Sequence, residues 1–508
     1  MSSASGSDRT LRRLAWLVFF ASLLLAVWAY WIDPVINRDG TKYVLAAETF
    51  TRGDFYHGFR SYKWPIYSMV IAFFSWATPF SAETIAYVIN ACLRGVTGIA
   101  FLHLSSMMGA DRRQLLLAAV IFLLFPGLNE VQAMIIRDFG YFASFLWMAI
   151  FFLRQLGNPT RVNVIGFIVL GLIATAFRIE GLIYVSALVI FYMLSGTVKG
   201  HWKLLGYFII LTVIPILGYI ELMWLYNGEI GNAVTMLTDT AARMTTELDE
   251  YIEELEPGIV ANLLNSIFYL ILAMTPFAKM AWSTLSVLSL GYVLVLAAGW
   301  FVRPVFDQQN ANVRLMTKGW RWIVGMNVMV LVTFALLRQI VTDRYPITLA
   351  LVLMLLIPFI ITKLMDKARQ SAWNKAPTAV VAILSVLLLL NSAEGLNRFA
   401  NNRHMKEAGE WIDGRMLDGD VFYTNSRIVD YYAGRRSVRD DRVYSWEKLS
   451  EFLHTGRWRQ IHRIGVYLRG GYDPRTDEYL QSVFQMEPEK VFESENGSKV
   501  LIYNTRPH

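Results

Sequence analysis

Residues 14–32 read LAWLVFFASLLLAVWAYWI, and Asp33-Pro34-Val35-Ile36-Asn37-Arg38-Asp39 follows at once. An apolar helical stretch of about 20 residues is what the hydrocarbon core of a bilayer demands. This one is too long for the apolar region of a signal peptide. It also ends in Trp31-Ile32-Asp33-Pro34 rather than at an Ala-x-Ala-like cleavage site. It is therefore read as a retained span. Arg9, Arg12 and Arg13 precede it, and Lys and Arg accumulate in cytoplasmic segments. The N-terminus is then inside, and everything from Asp33 to the next span is outside.

Working outward, similar apolar runs recur near 84–108, 114–128, 139–154, 162–178, 181–196, 204–226, 280–302, 321–340, 345–363 and 377–393. The run at 262–278, ending in Thr275-Pro276, is read as a re-entrant or interfacial helix. Counting it as a span would put the basic stretch after Trp300 on the wrong side. With about eleven spans, the basic loops fall on one side: Arg112 and Arg113, Arg154 and Arg161, Lys199 and Lys203, Arg303 to Arg321, and Lys363 to Lys375. The C-terminus is then outside.

Composition agrees. Of 508 residues, 55% are hydrophobic and only 17% charged, against about 25% charged in soluble domains. That excludes a disordered chain, a collagen and a disulfide scaffold. A single cysteine, Cys92, permits no intramolecular disulfide. The net charge of +7 is dispersed between apolar runs, which argues against nucleic acid. The expected fold class is an all-α polytopic membrane protein with juxtamembrane helices and a small extracytoplasmic α/β domain. The domains are 1–393, with an outer loop over 33–83, and 394–508.

In that tail, 404–416, Ser426 to Ala433 and Trp446 to Leu453 have helical patterns, while Val421-Phe422-Tyr423 and Ile464 to Leu468 read as strands. Residues 490–504 read as a hairpin around Asn496-Gly497, a favoured two-residue turn. The hairpin accounts for the residues that also form an Asn496-Gly497-Ser498 glycosylation sequon. Residues 227–260 are acidic, with Glu247, Asp249, Glu250, Glu253, Glu254 and Glu256 spaced as on a solvated helix.

The outer ends of the spans carry a recurring pattern. Arg38-Asp39 follows the first span and Arg137-Asp138 precedes the fourth. Arg178-Ile179-Glu180 lies between the fifth and sixth, and Asp343-Arg344-Tyr345 between the ninth and tenth. Lys63-Trp64-Pro65 lies in the first outer loop. Charges at membrane depth are costly, so they tend to be paired or functional. Each also has an ordinary explanation. Asp39 and Asp138 sit where helix N-caps belong, and outer arginines meet lipid headgroups. Four such sets on one face, with none comparable in the inner loops, favour function for the group. After Asp39, Tyr43, Ala46, Ala47 and Phe50 share one face of a short helix suited to the interface. A second short helix starts after Pro65.

Asn37-Arg38-Asp39-Gly40-Thr41-Lys42-Tyr43 with Ala46-Ala47, Trp64-Pro65-Ile66-Tyr67 and Asp343-Arg344-Tyr345-Pro346 resemble the outer-loop motifs of the GT-C superfamily. Trp411-Ile412 with Val421-Phe422-Tyr423-Thr424-Asn425 resembles the tail domain of its bacterial members, closest to family 39-like arabinosyl- or mannosyltransferase types. Many relatives carry two adjacent acids in the first loop, whereas Gly40 follows Asp39 here.

The resemblance implies transfer of a sugar from a polyprenyl-phosphate donor to an extracytoplasmic glycolipid, polysaccharide or protein, usually with inversion, in a bacterial inner membrane. Such a reaction needs a base for the acceptor's proton and cations for the charge building on the leaving phosphate. Asp39 is the expected base, and Asp138 a second catalytic carboxylate or orienting partner. Lys63, Arg178 and Arg344 are candidates for the phosphate, to which an arginine's planar guanidinium donates two hydrogen bonds. Arg38, Arg137, Glu180 and Tyr345 complete the expected substrate contacts. Asp39 and Asp138 with a phosphate would suit Mg²⁺ or Mn²⁺. His57 reads as a surface histidine and His103 as structural. No HExxH, CxxC pair or Walker loop occurs. The competing reading is a transporter or lipid-linked-sugar flippase. That would call for mid-membrane charges and an inverted repeat; Arg94 is the main charge within a span and is expected to snorkel.

Overall fold

A proline sets the end of the first helix. Pro34 disfavours helical backbone at the residue before it, and the helix (α1, Ser2–Ile32) stops before Asp33. The computed structural model describes residues 2–62, 64–194, 206, 259–302, 305–306, 310–338, 344–370, 375–397, 402–417, 419–434 and 446–505. The run at 204–226, the acidic segment up to Glu256, Lys63 and Asp343 lie outside them. The chain divides into two compact units. The first comprises Met1–Ala26, Ala46–Gln132 and Ile136–Arg398, and the second Val27–Leu45, Ala133–Ile135 and Phe399–His508.

The first unit is helical. After α2 (Arg38–Thr51), α3 (Phe55–Ser61) and α4 (Ile66–Ala77) come α5 (Ala82–Met107), α6 (Arg112–Leu123), α7 (Pro126–Glu130) and α8 (Asp138–Gly157). Then follow α9 (Arg161–Phe177), α10 (Glu180–Leu194), α11 (Ile259–Ala298) and α12 (Ala311–Arg338). Next are α13 (Ile347–Met354), α14 (Ile357–Gln370) and α15 (Lys375–Asn397). Among the described residues, six stretches are long and apolar enough to cross a membrane: Asp8–Ile32, Ala82–Met107, Arg112–Glu130, Asp138–Gly157, Phe277–Val302 and Ile347–Gln370. The protein is a polytopic membrane protein.

Prolines also break the spans. Pro126 opens α7 at its first turn, where a missing N–H costs nothing. At the middle of the last of these spans, the ring of Pro358 would strike the carbonyl four residues back, that of Met354. There α13 ends. The segment 262–278, expected as a separate re-entrant helix, instead continues into the run after it. The break lies at Ser289 (φ 59°, ψ 162°), not at Thr275-Pro276. Backbone freed at that break is taken up by Asn391, whose Oδ1 accepts from the Gly291 N–H at 2.9 Å. Within a bilayer every such group needs a partner inside the protein.

Arg94 does not snorkel. It is fully buried and its guanidinium donates to Gln132 Oε1 at 2.5 Å, Asn129 Oδ1 at 2.5 Å and the Leu123 carbonyl at 3.2 Å. The last is a carbonyl at the α6–α7 break. The cation is thus solvated by neutral oxygens and pins that break to α5.

The second unit is a small α/β body, with α16 (Arg403–Asp413), β1 (Phe422–Thr424), α17 (Arg427–Tyr432) and α18 (Trp446–His454). After these come β2 (Arg463–Leu468), α19 (Arg475–Phe484), β3 (Lys490–Glu493) and β4 (Lys499–Asn504). The sheet order is β1-β2-β4-β3, with β1 parallel to β2 and the other pairs antiparallel. Gly497 takes φ +77° in the β3–β4 turn, a backbone state that glycine adopts without steric cost. The four expected strands, two of them in the hairpin, and the three expected helices are present. Helix α19 was not foreseen, since its charged sequence RTDEYLQSVF buries only Leu480 and Phe484.

The start of the outer loop is built into this unit. Val35 is buried with Ile412, Val429, Val500 and Ile502. Arg403 donates to the carbonyls of Trp31 (3.2 Å) and Ile32 (2.9 Å), Lys406 to that of Pro34 (3.2 Å), and Ile36 N–H to Tyr432 Oη (3.0 Å). The first two carbonyls belong to the end of α1, where unsatisfied acceptors attract cations. Asp33 is buried beside them, and one of its carboxyl oxygens has no hydrogen-bond partner. Burial pushes its pKa up to about 7, against the pull of Arg403 and Lys406. Between the ordinary carboxylate value and pH 7 the folded unit therefore binds more protons than the unfolded chain, and its stability falls as pH rises. Asp33→Asn should relieve this. Its melting temperature should equal that of the parent near pH 3, below the ordinary carboxylate value of 3.8, and exceed it at pH 8, by an amount corresponding to about 1–2 kcal/mol. Parallel melting curves across that range would refute the titration of Asp33.

Candidate active site

In the first unit, two helix starts and one helix end bring charge together. Asp138 is the first residue of α8, with Arg137 in the capping position. Arg178 caps the end of α9 in extended backbone (φ −150°, ψ 133°), and Glu180 opens α10 two residues later. The turn is tight because Gly181 lies against the backbone of Thr175, where an added Cβ would come within 2.4 Å. The indole N–H of Trp64 donates to the Ala176 carbonyl at 2.6 Å, holding the same end of α9. Thus the aromatic of the Lys63-Trp64-Pro65 set is a positioning group.

Arg178 is buried and grips two carboxylates. It hydrogen-bonds to Asp138 and to Glu180, the latter through Nε at 3.0 Å and also through a terminal nitrogen. Asp138 and Glu180 are buried as well. Arg344 approaches the other Asp138 oxygen at 3.9 Å. Tyr345 lies under the Arg178 guanidinium, 4.3 Å from centroid to Cζ, with Tyr141 further off at 5.5 Å. Two acids and two arginines leave this cluster close to neutral, and an isolated buried charge is avoided. Of the two cations, Arg178 is enclosed, whereas the Arg344 side chain remains 27% exposed. Arg344 is thus the less enclosed of the two guanidinium groups.

Asp138 is therefore not a helix N-cap; its carboxylate serves the arginines. Asp39 is no N-cap either, since α2 begins at Arg38 and Asp39 is in its first turn. Asn37 precedes the helix, and its Oδ1 accepts from the Ile135 N–H at 2.8 Å. Asp39 belongs to the second unit. Its side chain is 34% exposed and faces Lys42 Nζ at 3.9 Å. Burial pushes the Lys42 ammonium below its ordinary value, Arg427 adds to this, and Asp39 opposes it. Arg38 is exposed beside them.

His57 is a surface residue whose Nδ1 lies 2.7 Å from Asp54 Oδ2, in the cap of α3. His103 packs on Trp147 with ring centroids 5.5 Å apart. Among the described residues no three His, Cys, Asp or Glu side chains are grouped to hold a metal ion. One Asp138 oxygen is held by Arg178 and the other lies 3.9 Å from Arg344, and Asp39, the other carboxylate expected for a metal, belongs to the second unit. Tyr141 escaped the sequence reading, and its ring, close in sequence to Asp138, offered the signal; Asn37 stood in the first outer-loop motif with no role assigned to it.

A comparison with protein families finds none that matches the chain, and a comparison with curated proteins finds no match either. Solved structures do match. ArnT from Cupriavidus metallidurans in the apo state is 11% identical, with a TM-score of 0.57 and 100% of both chains covered. The same protein bound to undecaprenyl phosphate is 12% identical, with a TM-score of 0.51 and 98% of each chain covered. The Archaeoglobus fulgidus oligosaccharyltransferase, in complex with Zn and sulfate, is 11% identical at a TM-score of 0.54, covering 96% of this chain and 72% of that one. At these identities the likeness is one of fold, and it extends over the whole chain. The protein thus has the GT-C fold.

Proposed function

We propose that this protein is a membrane glycosyltransferase that moves a sugar from a polyprenyl-phosphate donor to an extracytoplasmic acceptor. The observation that carries this reading is the partly exposed Arg344, held against buried Asp138 beside Arg178 and Tyr345. Such a cation is suited to the phosphate of a lipid donor. The likeness in fold to ArnT bound to undecaprenyl phosphate supports the choice of lipid.

In this mechanism Asp39 takes the proton of an acceptor hydroxyl. The oxygen attacks the anomeric carbon, the bond from that carbon to the phosphate oxygen breaks, and polyprenyl phosphate leaves. Arg344 balances the charge that develops on the phosphate, with Lys63 as a second cation. A single displacement inverts the anomeric centre. Arg178, Glu180 and Asp138 fix the position of Arg344, and no step is assigned to a metal. Arg38, Arg137 and Tyr345 remain candidates for substrate contact.

Arg344→Gln should weaken binding of labelled polyprenyl phosphate to the purified protein by about 10- to 100-fold, the loss of one charge-assisted contact. Arg344→Lys should recover part of it. Unaltered affinity in Arg344→Gln would remove this residue from the donor site.

A further inference from the structure

Where two parallel strands end side by side, the chain leaves both toward helices, and open α/β sheets bind ligands in the crevice outside those carboxyl ends. In the second unit β1 and β2 form such a pair. Asn425, just past β1, ties the two ends together: its Oδ1 accepts from the Tyr467 N–H at 2.7 Å and its Nδ2 donates to the Tyr467 carbonyl at 2.9 Å. Beyond this tie lies a cavity of about 590 Å³, with Arg38, Arg427, Arg469, Trp446, Tyr472 and Thr476 on its walls. Every wall residue belongs to the second unit. The volume is within the range of small-molecule sites, about 300–1,000 Å³, and would admit roughly two sugar rings.

The chemistry of the walls narrows the occupant. Three arginines and one acid, Asp473, line the cavity, and the Asp473 carboxyl already accepts from the Arg475 N–H at 3.0 Å. Lys42 near Arg427 is matched by Asp39 at 3.9 Å and leaves that balance unchanged. An anion is what such a set attracts, and arginine binds phosphate and carboxylate alike through two parallel hydrogen bonds. Trp446 and Tyr472 contribute flat aromatic faces, apolar on the ring and polar at one edge. They suit the C–H face of a sugar better than a bare ion. Arg38 lines the cavity and Asp39 is the next residue of the same helix turn.

We propose that this crevice is the acceptor subsite and that it binds an anionic sugar, one bearing a phosphate or a carboxylate group. The word acceptor rests on the glycosyltransferase reading; the binding of an anionic sugar does not. A sugar held here would lie against Arg38, the residue that precedes the proposed base in sequence.

The test is titration calorimetry on the full-length protein in detergent, without donor, using glucose 6-phosphate, glucuronic acid, glucose and inorganic phosphate as probes. At least one anionic sugar should bind tenfold or more tightly than glucose, and the ranking of the two identifies the preferred anion. Arg469→Gln, an exposed side chain whose loss the fold tolerates, should weaken that binding by about tenfold. Arg427→Gln with Arg469→Gln should weaken it further. Trp446→Ala should weaken glucose 6-phosphate binding and leave inorganic phosphate unchanged. Glucose binding as well as the anionic sugars, phosphate alone matching the sugar phosphate, or Arg469→Gln binding unchanged would each overturn the proposal. Intact binding in a protein that transfers no sugar would instead count only against the enzymatic reading.

Discussion

Asp39→Asn is expected to abolish sugar transfer while the chain still inserts and folds. Asp39 occupies the first turn of α2 with its side chain one-third exposed. Asparagine has nearly the same shape and serves helix starts about as well. The ion pair it would forfeit, to Lys42 at 3.9 Å, is loose and exposed, worth under about 1 kcal/mol. What asparagine cannot do is accept the acceptor's proton. General-base groups contribute about 10²–10⁴-fold to a rate, so kcat should fall by at least about 10² with little change in KM. Asp39→Glu should keep a small part of the rate, because the carboxylate is retained but displaced. Full activity in Asp39→Asn would remove Asp39 as the base.

Arg178→Met should produce the largest loss of stability of any substitution in the first unit. Arg178 is enclosed and is bonded to two buried acids. Deleting it leaves both carboxylates in a poorly solvated site, and breaking a buried pair by removing one partner costs about 3–5 kcal/mol. Arg178→Lys should rescue little of this, because an ammonium cannot reproduce the planar fork that spans Asp138 and Glu180. Neutralising the acids in the same chain, as Asp138→Asn with Glu180→Gln, should restore much of the lost stability to Arg178→Met. The readout is thermal unfolding in detergent, with yield of monodisperse protein as a second measure. A stable Arg178→Met protein would show that the cluster is not what holds α8, α9 and α10 in register.

Much of this was legible along the chain, for reasons that differ by element. Apolar runs announce spans because a bilayer allows no alternative, and α5, α8 and α9 lie where residues 84–108, 139–154 and 162–178 placed them. The breaks were harder to place. Pro126 and Pro358 mark two of them, yet Ser289 carries no local signal for its positive φ. The Arg-Asp sets were visible as motifs, but their partners were not. Asp138 pairs with Arg178, forty positions away, and not with its neighbour Arg137; side chains adjacent on a helix do not face each other. The strands of the tail followed from alternation. Its use of Val35 in the same core, and of the Ile36 N–H as a donor to Tyr432, did not, because both depend on contacts across nearly four hundred residues. Arg427 and Arg469 drew no notice in the sequence, since only the parallel pairing of β1 with β2 makes neighbours of the residues that follow each strand.

The most direct measurement is donor turnover by the purified protein in proteoliposomes supplied with a labelled polyprenyl-phosphate sugar and cell-envelope glycan. Time-dependent transfer of label to the glycan, with stoichiometric release of polyprenyl phosphate and loss of both in Asp39→Asn, is the predicted result. Movement of intact labelled donor between leaflets, with no release of polyprenyl phosphate across donors of different sugars, would contradict it and identify a flippase on the same fold.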